Sequence, residues 1–328
     1  MSTPAHHSPR GGFRNPWPGA EAKGLGDVAR WYLERSTTRR PPPDPDPSVF
    51  PVREPQFGLA QSPGDIAVTW IGHSSAVIEF EGLTVLTDPV WSDYPSPVPI
   101  PSLRRWVRPP VPLERLPAVD IVLISHNHYD HLDAPTVRAL ARRHPAAEWI
   151  TPLGVGSLLR RLGVVRVREL DWWDEVQAGG SAIACTPAQH FSSRGVHDRN
   201  RTLWCGFSVR AGGRAVYFAG DTGLHPEFAA IGNRFGPFDV SLLPVGAYEP
   251  RWFMRPVHMN PEDALQAFGA LGCGIMIPIH WGTFKLTDEP MDEPPRRTRR
   301  LWAESGAVAD GLWLLDHGET RLLHSSAG

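Results

Sequence analysis

The sequence predicts an α/β protein in which two β-rich blocks, each followed by helices, stack as a four-layer αβ/βα sandwich behind a proline-rich N-terminal extension. Three observations predict it. Short β-branched and aromatic runs separated by turn residues fill positions 66–89. From position 120 strands and helices alternate, with a second β-rich block over 181–219. Proline is concentrated: of 35, eleven fall in residues 1–60 and nine in 89–117. An evenly helical chain is excluded across those two stretches, because proline lacks the N–H a helix interior needs and clashes with the preceding turn.

Residues 1–60 read as an extension, or strap, and 61–328 as one domain. PPPDPDP at 41–47 is extended and polyproline-like. Leu25, Val28, Trp31 and Tyr32 recur at helical spacing, which predicts one short amphipathic helix over 25–34. Strands follow at 66–72, 75–80 and 83–87, with a hairpin turn at Glu81-Gly82. The belt 89–117 is a long irregular loop, and such loops inside domains are usually functional. Beyond it the pattern predicts strand 120–125, helix 134–143, strand 148–150, helix 154–162 and strand 166–170. Strands 181–186, 203–210 and 215–219 come next, then helix 226–233, strand 239–243, helix 261–271 and strand 275–279. Asn260-Pro261-Glu262-Asp263 is a strong helix start, with a side-chain cap, proline in the first turn and acids beside the helix N-terminus.

A net charge of −2 gives no field that would draw nucleic acid, so no nucleic-acid partner is expected. Cys185, Cys205 and Cys273 form neither a C-x-x-C pair nor a disulfide framework, which suits a reducing compartment. The first 30 residues contain no apolar signal-peptide core. The uncharged run 264–284 is broken by glycines, Gln266, Pro278 and His280, a poor membrane span. A cytoplasmic protein is expected, peripheral at a membrane surface if its substrate is a lipid.

The chemistry concentrates in Ser125-His126-Asn127-His128-Tyr129-Asp130-His131, directly after an apolar strand and before a helix. Imidazoles so close repel when charged and lack partners when buried and neutral; a divalent cation meets both demands. The alternative is a solvated His-rich loop, which is how His6-His7 reads. Other ligand types also stand at strand ends: His190, Asp221 and His280. Jointly these residues suit two metal ions, with Asp221 the natural bridging oxygen ligand. Asp88, and His73 likewise, are expected to orient ligands rather than bind metal. Gly220 and Gly223 allow close backbone approach to a ligand. A His/Asp set does not by itself choose among zinc, iron and manganese.

H-x-H-x-D-H, then His190, Asp221 and His280 in this order, resembles the metallo-β-lactamase fold superfamily of dinuclear hydrolases over roughly residues 65–320. The resemblance implies a sandwich with two metals, usually zinc, at one edge of the sheets. One metal would take His126, His128 and His190. The other would take Asp130, His131 and His280, with Asp221 and a hydroxide between them. Asp221 stands where many β-lactamases carry cysteine, and His128 where oxygen-reducing flavodiiron relatives carry Glu. Both departures point toward phosphodiester or related ester hydrolysis.

A narrower resemblance runs almost end to end. NPWP at 15–18, TWIGH at 69–73, LTDP, SHNHYDHLD, GAYEPRWFM, His258 and IHWGTF at 279–284 are similar to the N-acylphosphatidylethanolamine-hydrolysing phospholipase D branch. That branch implies release of N-acylethanolamine and phosphatidic acid from a phospholipid at a membrane surface, and it admits a homodimer. His258 matches a histidine the branch places near substrate. The mechanism expected is attack by a metal-bridging hydroxide on phosphorus, with Asp130 and Asp221 as ligands that also relay a proton. Arg251, Trp252, Phe253 and Met254 are the expected substrate lip, apolar side chains beside an arginine. Two other readings remain open: a cytosolic metallo-hydrolase of a small soluble lactone or sugar phosphate, and a catalytically silent lipid-binding module. An apolar channel over the metals would favour lipid; a closed polar pocket would favour a small anion.

Overall fold

The computed structural model describes residues 4–195 and 197–325. Helix α1 (Leu25–Thr37) belongs to the N-terminal strap. The first sheet contains β1 (Ile66–Gly72), β2 (Ser75–Phe80), β3 (Leu83–Thr87), β4 (Ile121–Leu123), β5 (Glu148–Pro152) and β6 (Val167–Leu170), with α2 (Ala134–Arg143) and α3 (Gly156–Arg161) in its crossovers. The second contains β7 (Glu175–Ala178), β8 (Ser181–Thr186), β9 (Gly206–Ala211), β10 (Arg214–Phe218), β11 (Phe238–Pro244) and β12 (Cys273–Ile279). Helices α4 (Phe228–Phe235), α5 (Arg251–Met254) and α6 (Pro261–Leu271) interrupt it, and α7 (Glu293–Glu304) precedes β13 (Thr320–Leu323).

Strand β13 returns to the first sheet, whose order is β13-β1-β2-β3-β4-β5-β6; the second runs β12-β11-β10-β9-β8-β7. Strands β3 to β6 are parallel, as are β10 to β12, and the remaining pairs are antiparallel. Alternation within the first sheet explains the layering. Val68, Trp70, Ile78, Val85, Ile121 and Leu123 face the core shared with the second sheet, while Ile71, Val77, Leu86 and Val122 pack with Val137 and Leu140 of α2 and Leu159 of α3. Both faces are covered, so these strands read as nearly continuous apolar runs. On the far side α6 packs on β11 and β12 and against α4 and α7. Four layers result, as the sequence predicted.

Local signals held where chemistry dictated them. Glu81 (φ 50°) and Gly82 (φ 73°) both lie in the left-handed region, as a two-residue type I′ hairpin requires. Asn260 accepts from the Asp263 N–H at 3.0 Å, Asp263 returns the capping box, and α6 ends on left-handed Gly272. The belt 89–117 has only two 3₁₀ turns, at 101–103 and 113–115.

Some boundaries moved. The strand expected from 203 begins at Gly206, and the helix expected over 226–233 lies at Phe228–Phe235. Four elements were missed. Strands β7 and β13 are polar or half-exposed edges, α5 is a single turn after Pro250, and α7 opens on Pro294-Pro295 with a charged face. His6-His7 is not solvated: His6 is buried, and both rings bond Asp171. Among the described residues, no helix is long and apolar enough to cross a membrane.

Candidate metal centre

All seven predicted ligands converge where strands of both sheets end. The 125–131 segment follows β4, His190 follows β8, Asp221 follows β10 and His280 follows β12. They form two neighbouring clusters. In the first, His126 Nε2 lies 2.8 Å from His128 Nδ1, and His190 Nε2 lies 3.2 Å from the same Nδ1. In the second, Asp130 Oδ2 stands 3.5 Å from His131 Nε2 and 3.6 Å from His280 Nε2. Asp221 Oδ2 sits between the clusters, 3.0 Å from His131 Nε2, 3.1 Å from His280 Nε2 and 3.9 Å from His190 Nε2.

These residues fit metal ions. Nε2 of His131, Nε2 of His280 and Oδ1 of Asp221 are buried with no hydrogen-bond partner, although buried polar atoms are normally satisfied. Three imidazoles in one cluster and a mixed His/Asp set in the other match borderline-soft divalent cations.

Electrostatics divides the two clusters. Burial and the neighbouring imidazoles push His126 well below the usual imidazole value and His128 to about 3; burial also takes His190 to about 4, against the pull of Asp221. All three stay neutral, with lone pairs available. Burial acts on His131 and His280 too, but Asp221 and Asp130 outweigh it, raising His131 well above its usual value and His280 to about 9. Both carboxyls remain ionised despite burial, held well below the carboxylate range by His131 and its neighbours.

Supporting residues fix the donors. Asp88, fully buried, accepts His131 Nδ1–H at 2.7 Å and the Ser125 N–H at 2.7 Å, so His131 Nε2 faces the centre. Ser125, unremarked in the sequence, donates to Asp88 and lies 2.9 Å from His126 Nδ1. His73 Nε2 lies 3.0 Å from Asp130 Oδ2, with its ring 4.0 Å from that of His280, so it belongs to the second cluster's surroundings. His73 (φ 54°), Asp88 (φ 30°) and His280 (φ 64°) all hold the left-handed backbone, strain of the kind found at functional sites. The close approach that Gly220 permits is to Ser125 rather than to a ligand: a Cβ there would stand 2.5 Å from the Ser125 Cβ. Gly223 likewise faces Gln189 and two backbone carbonyls.

Arg194 was also missed. Its Nη1 donates to the carbonyls of Asn127, His128 and Leu132 at 2.8, 3.4 and 2.6 Å, and its guanidinium lies 3.8 Å over the Tyr129 ring. It rivets the ligand loop from outside. Nothing in a lone arginine 63 positions beyond the motif signals this.

The expected lip is only partly free. Arg251 is committed to Asp263 at 2.6 Å and to the His258 carbonyl at 2.9 Å; Phe253 packs on Trp31 of α1, and Met254 is buried. Arg251 and Trp252 still line a cavity of about 410 Å³ with Gln189, Arg255 and Asp263. His258 lies between the lip and the centre, its ring 5.1 Å from that of His190 and 5.3 Å from that of His280. Burial keeps it neutral, and its Nδ1 has no partner.

Residues 84–281 match the profile of the Beta-lactamase superfamily domain. The chain belongs to the metallo-β-lactamase superfamily. Within that superfamily it is 36% identical over 326 residues to the N-acyl-phosphatidylethanolamine-hydrolyzing phospholipase D 1 of Caenorhabditis elegans, covering 94% of this chain and 91% of that one. An uncharacterised protein of Mycobacterium tuberculosis is 47% identical over 237 residues. That match covers 71% of this chain and 63% of the relative, so it spans less than two thirds of the relative's length. A metallo hydrolase from the archaeon Ignicoccus hospitalis superposes with a TM-score of 0.61 at 26% identity, over 80% of this chain and all of that one.

Proposed function

We propose that the protein is a phosphodiesterase of phospholipase D type, holding two divalent ions, with zinc favoured by the imidazole-rich donor set. Its substrate is read as an N-acylphosphatidylethanolamine-like phospholipid at a membrane surface, cleaved to N-acylethanolamine and phosphatidic acid. The observation that carries the reading is the match to the nematode phospholipase, which spans 94% of this chain and 91% of that one.

His126, His128 and His190 would hold one ion, Asp130, His131 and His280 the other, with Asp221 shared. Bound there, divalent ions supply Lewis acidity and lower the pKa of a water toward neutrality, which is what phosphodiester hydrolysis needs. Asp88 and Ser125 keep the imidazoles aimed inward. Asp130 and Asp221, ionised, are able to accept a proton released at the centre. His258, neutral with Nδ1 unpaired, is placed to hydrogen-bond a substrate oxygen.

The cavities beside the centre favour headgroup recognition over acyl-chain burial. The one that includes His190 is lined by Arg14, Asn15, Glu21, Arg199 and Asn200 as well as Pro16, Trp17 and Pro18. The same polarity suits a small soluble anion, the second reading. A product assay separates them: metal-loaded protein is offered vesicles of N-acylated or plain phosphatidylethanolamine, and a soluble lactone and sugar phosphate. Release of N-acylethanolamine from the N-acylated vesicles is expected. Turnover of the soluble compounds with none of the lipid overturns the proposal.

A further inference from the structure

The strap reaches the centre through one side chain. Asn15 uses its whole amide: Nδ2 donates to the carbonyls of His190 at 2.8 Å and Ala20 at 2.6 Å, and Oδ1 accepts the His190 N–H at 3.2 Å and Trp204 Nε1–H at 3.1 Å. His190 is therefore gripped from two directions, its backbone by Asn15 and its Nδ1 by the Val257 carbonyl at 2.9 Å. Fixing a ligand's orientation in this way commonly sets metal affinity.

The same segment walls a space. A cavity of about 390 Å³ lies between residues 14–22 of the strap and His190, Arg199 and Asn200. The wall is held in place: Arg199 Nη2 donates to the carbonyls of Ala22 and Lys23 at 3.1 and 2.8 Å, the Phe13 N–H bonds the Asn200 carbonyl at 2.8 Å, and Trp17 stacks on Trp172 and His225. Arg14 and Arg199 put two cations on a cavity that has a candidate metal ligand in its lining.

We propose that the strap is a working part of the active site, with Asn15 as the positioning residue for His190 and residues 14–22 forming, with Arg199, a subsite for the polar, anionic head of a phosphodiester. The subsite half of this rests on the phosphodiesterase reading; the Asn15 half rests only on metal binding.

The test measures metal affinity and the visible spectrum of the cobalt(II)-substituted protein, then KM. Asn15→Ala is expected to weaken binding of one ion by about tenfold and to alter the cobalt spectrum. Asn15→Asp, which keeps the acceptor and loses the donor, should fall between Ala and wild type. His7→Ala loosens the strap away from the centre and should leave the spectrum as it was, which separates positioning from general destabilisation. An Asn15→Ala protein that folds and keeps both affinity and spectrum overturns the positioning role. Arg199→Ala should keep its metal content and raise KM several-fold both for vesicles and for soluble bis(p-nitrophenyl) phosphate. A rise for vesicles alone makes Arg199 a membrane contact and overturns the subsite, as does no rise at all. If wild type cleaves no phosphodiester, the phosphodiesterase reading fails while the cobalt spectrum still decides the role of Asn15.

Discussion

Two groups of histidine and aspartate in this molecule use the same side chains to opposite ends. In the N-terminal trio His6 Nε2 and His7 Nε2 lie 2.6 and 2.7 Å from the two oxygens of Asp171. Each N–H has its own acceptor, and hydrogen bonding accounts for the whole arrangement. In the centre the corresponding spacings run from 2.8 to 3.9 Å, and several inward-facing atoms have no partner. A trio that satisfies itself is a clasp, and a set that cannot satisfy itself is a receptor for a cation. Residue type and proximity do not separate the two, whereas partner counting does.

The sharpest way to break this distinction is to remove a receptor histidine. His126→Ala or His128→Ala should lower kcat/KM by at least about a thousandfold, some 4 kcal/mol of transition-state stabilisation, with far-UV circular dichroism retained. Near-normal turnover would mean the cluster is not the reaction centre.

Metal removal comes next. Chelation should cost about 3 kcal/mol of unfolding free energy when the metal had stood at a hundredfold over its Kd, read by denaturant titration. Reloading should be weaker at low pH. His280, with a pKa of about 9, is protonated below that value and must release its proton to ligate, so affinity rises as pH climbs toward 9. Metal uptake independent of pH would contradict this assignment.

The clasp predicts less. Asp171→Ala leaves a buried His6 without its acceptor and should destabilise the fold by about 1–3 kcal/mol with metal content unchanged. Loss of metal from that variant would mean the clasp is a receptor after all.

A third kind of histidine sharpens the comparison. His225 is sandwiched between Trp17 and Phe228, both nitrogens lack partners, and burial pushes its pKa to about 3. It must fold neutral. A group whose folded pKa lies below its unfolded value contributes stability that is intact above about 6.5 and declines as pH falls toward 3. His225→Phe should therefore gain about 1.4 kcal/mol relative to wild type on going from pH 8 to pH 5.5. A stability difference that does not change with pH would show that His225 is paired in solution.

Much of this was legible in the sequence. The α/β alternation, the I′ turn at Glu81-Gly82 and the α6 cap follow from local rules that nothing downstream overrode. All seven candidate ligands, which the structure brings together, could be named because the dense 126–131 motif fixes one strand end, and the others are polar residues at the ends of apolar strands. The expectation for His6-His7 failed because its partner, Asp171, lies more than 160 positions away. The roles of Ser125, Arg194 and Asn15 were hidden at shorter and longer range alike. Each acts through backbone groups or a neighbour's ring, contacts that leave no periodicity or spacing in the chain.

The bond between Asn15 and His190 joins positions 175 residues apart. On a ribosome, therefore, Asn15 is made long before the residue it grips. The Asn15 amide has to wait through the synthesis of β1 to β8 before its partner exists, and longer still before His280 joins the cluster. The grip on His190 thus closes a span of 175 residues, and it forms only once the chain from the strap to β8 is present.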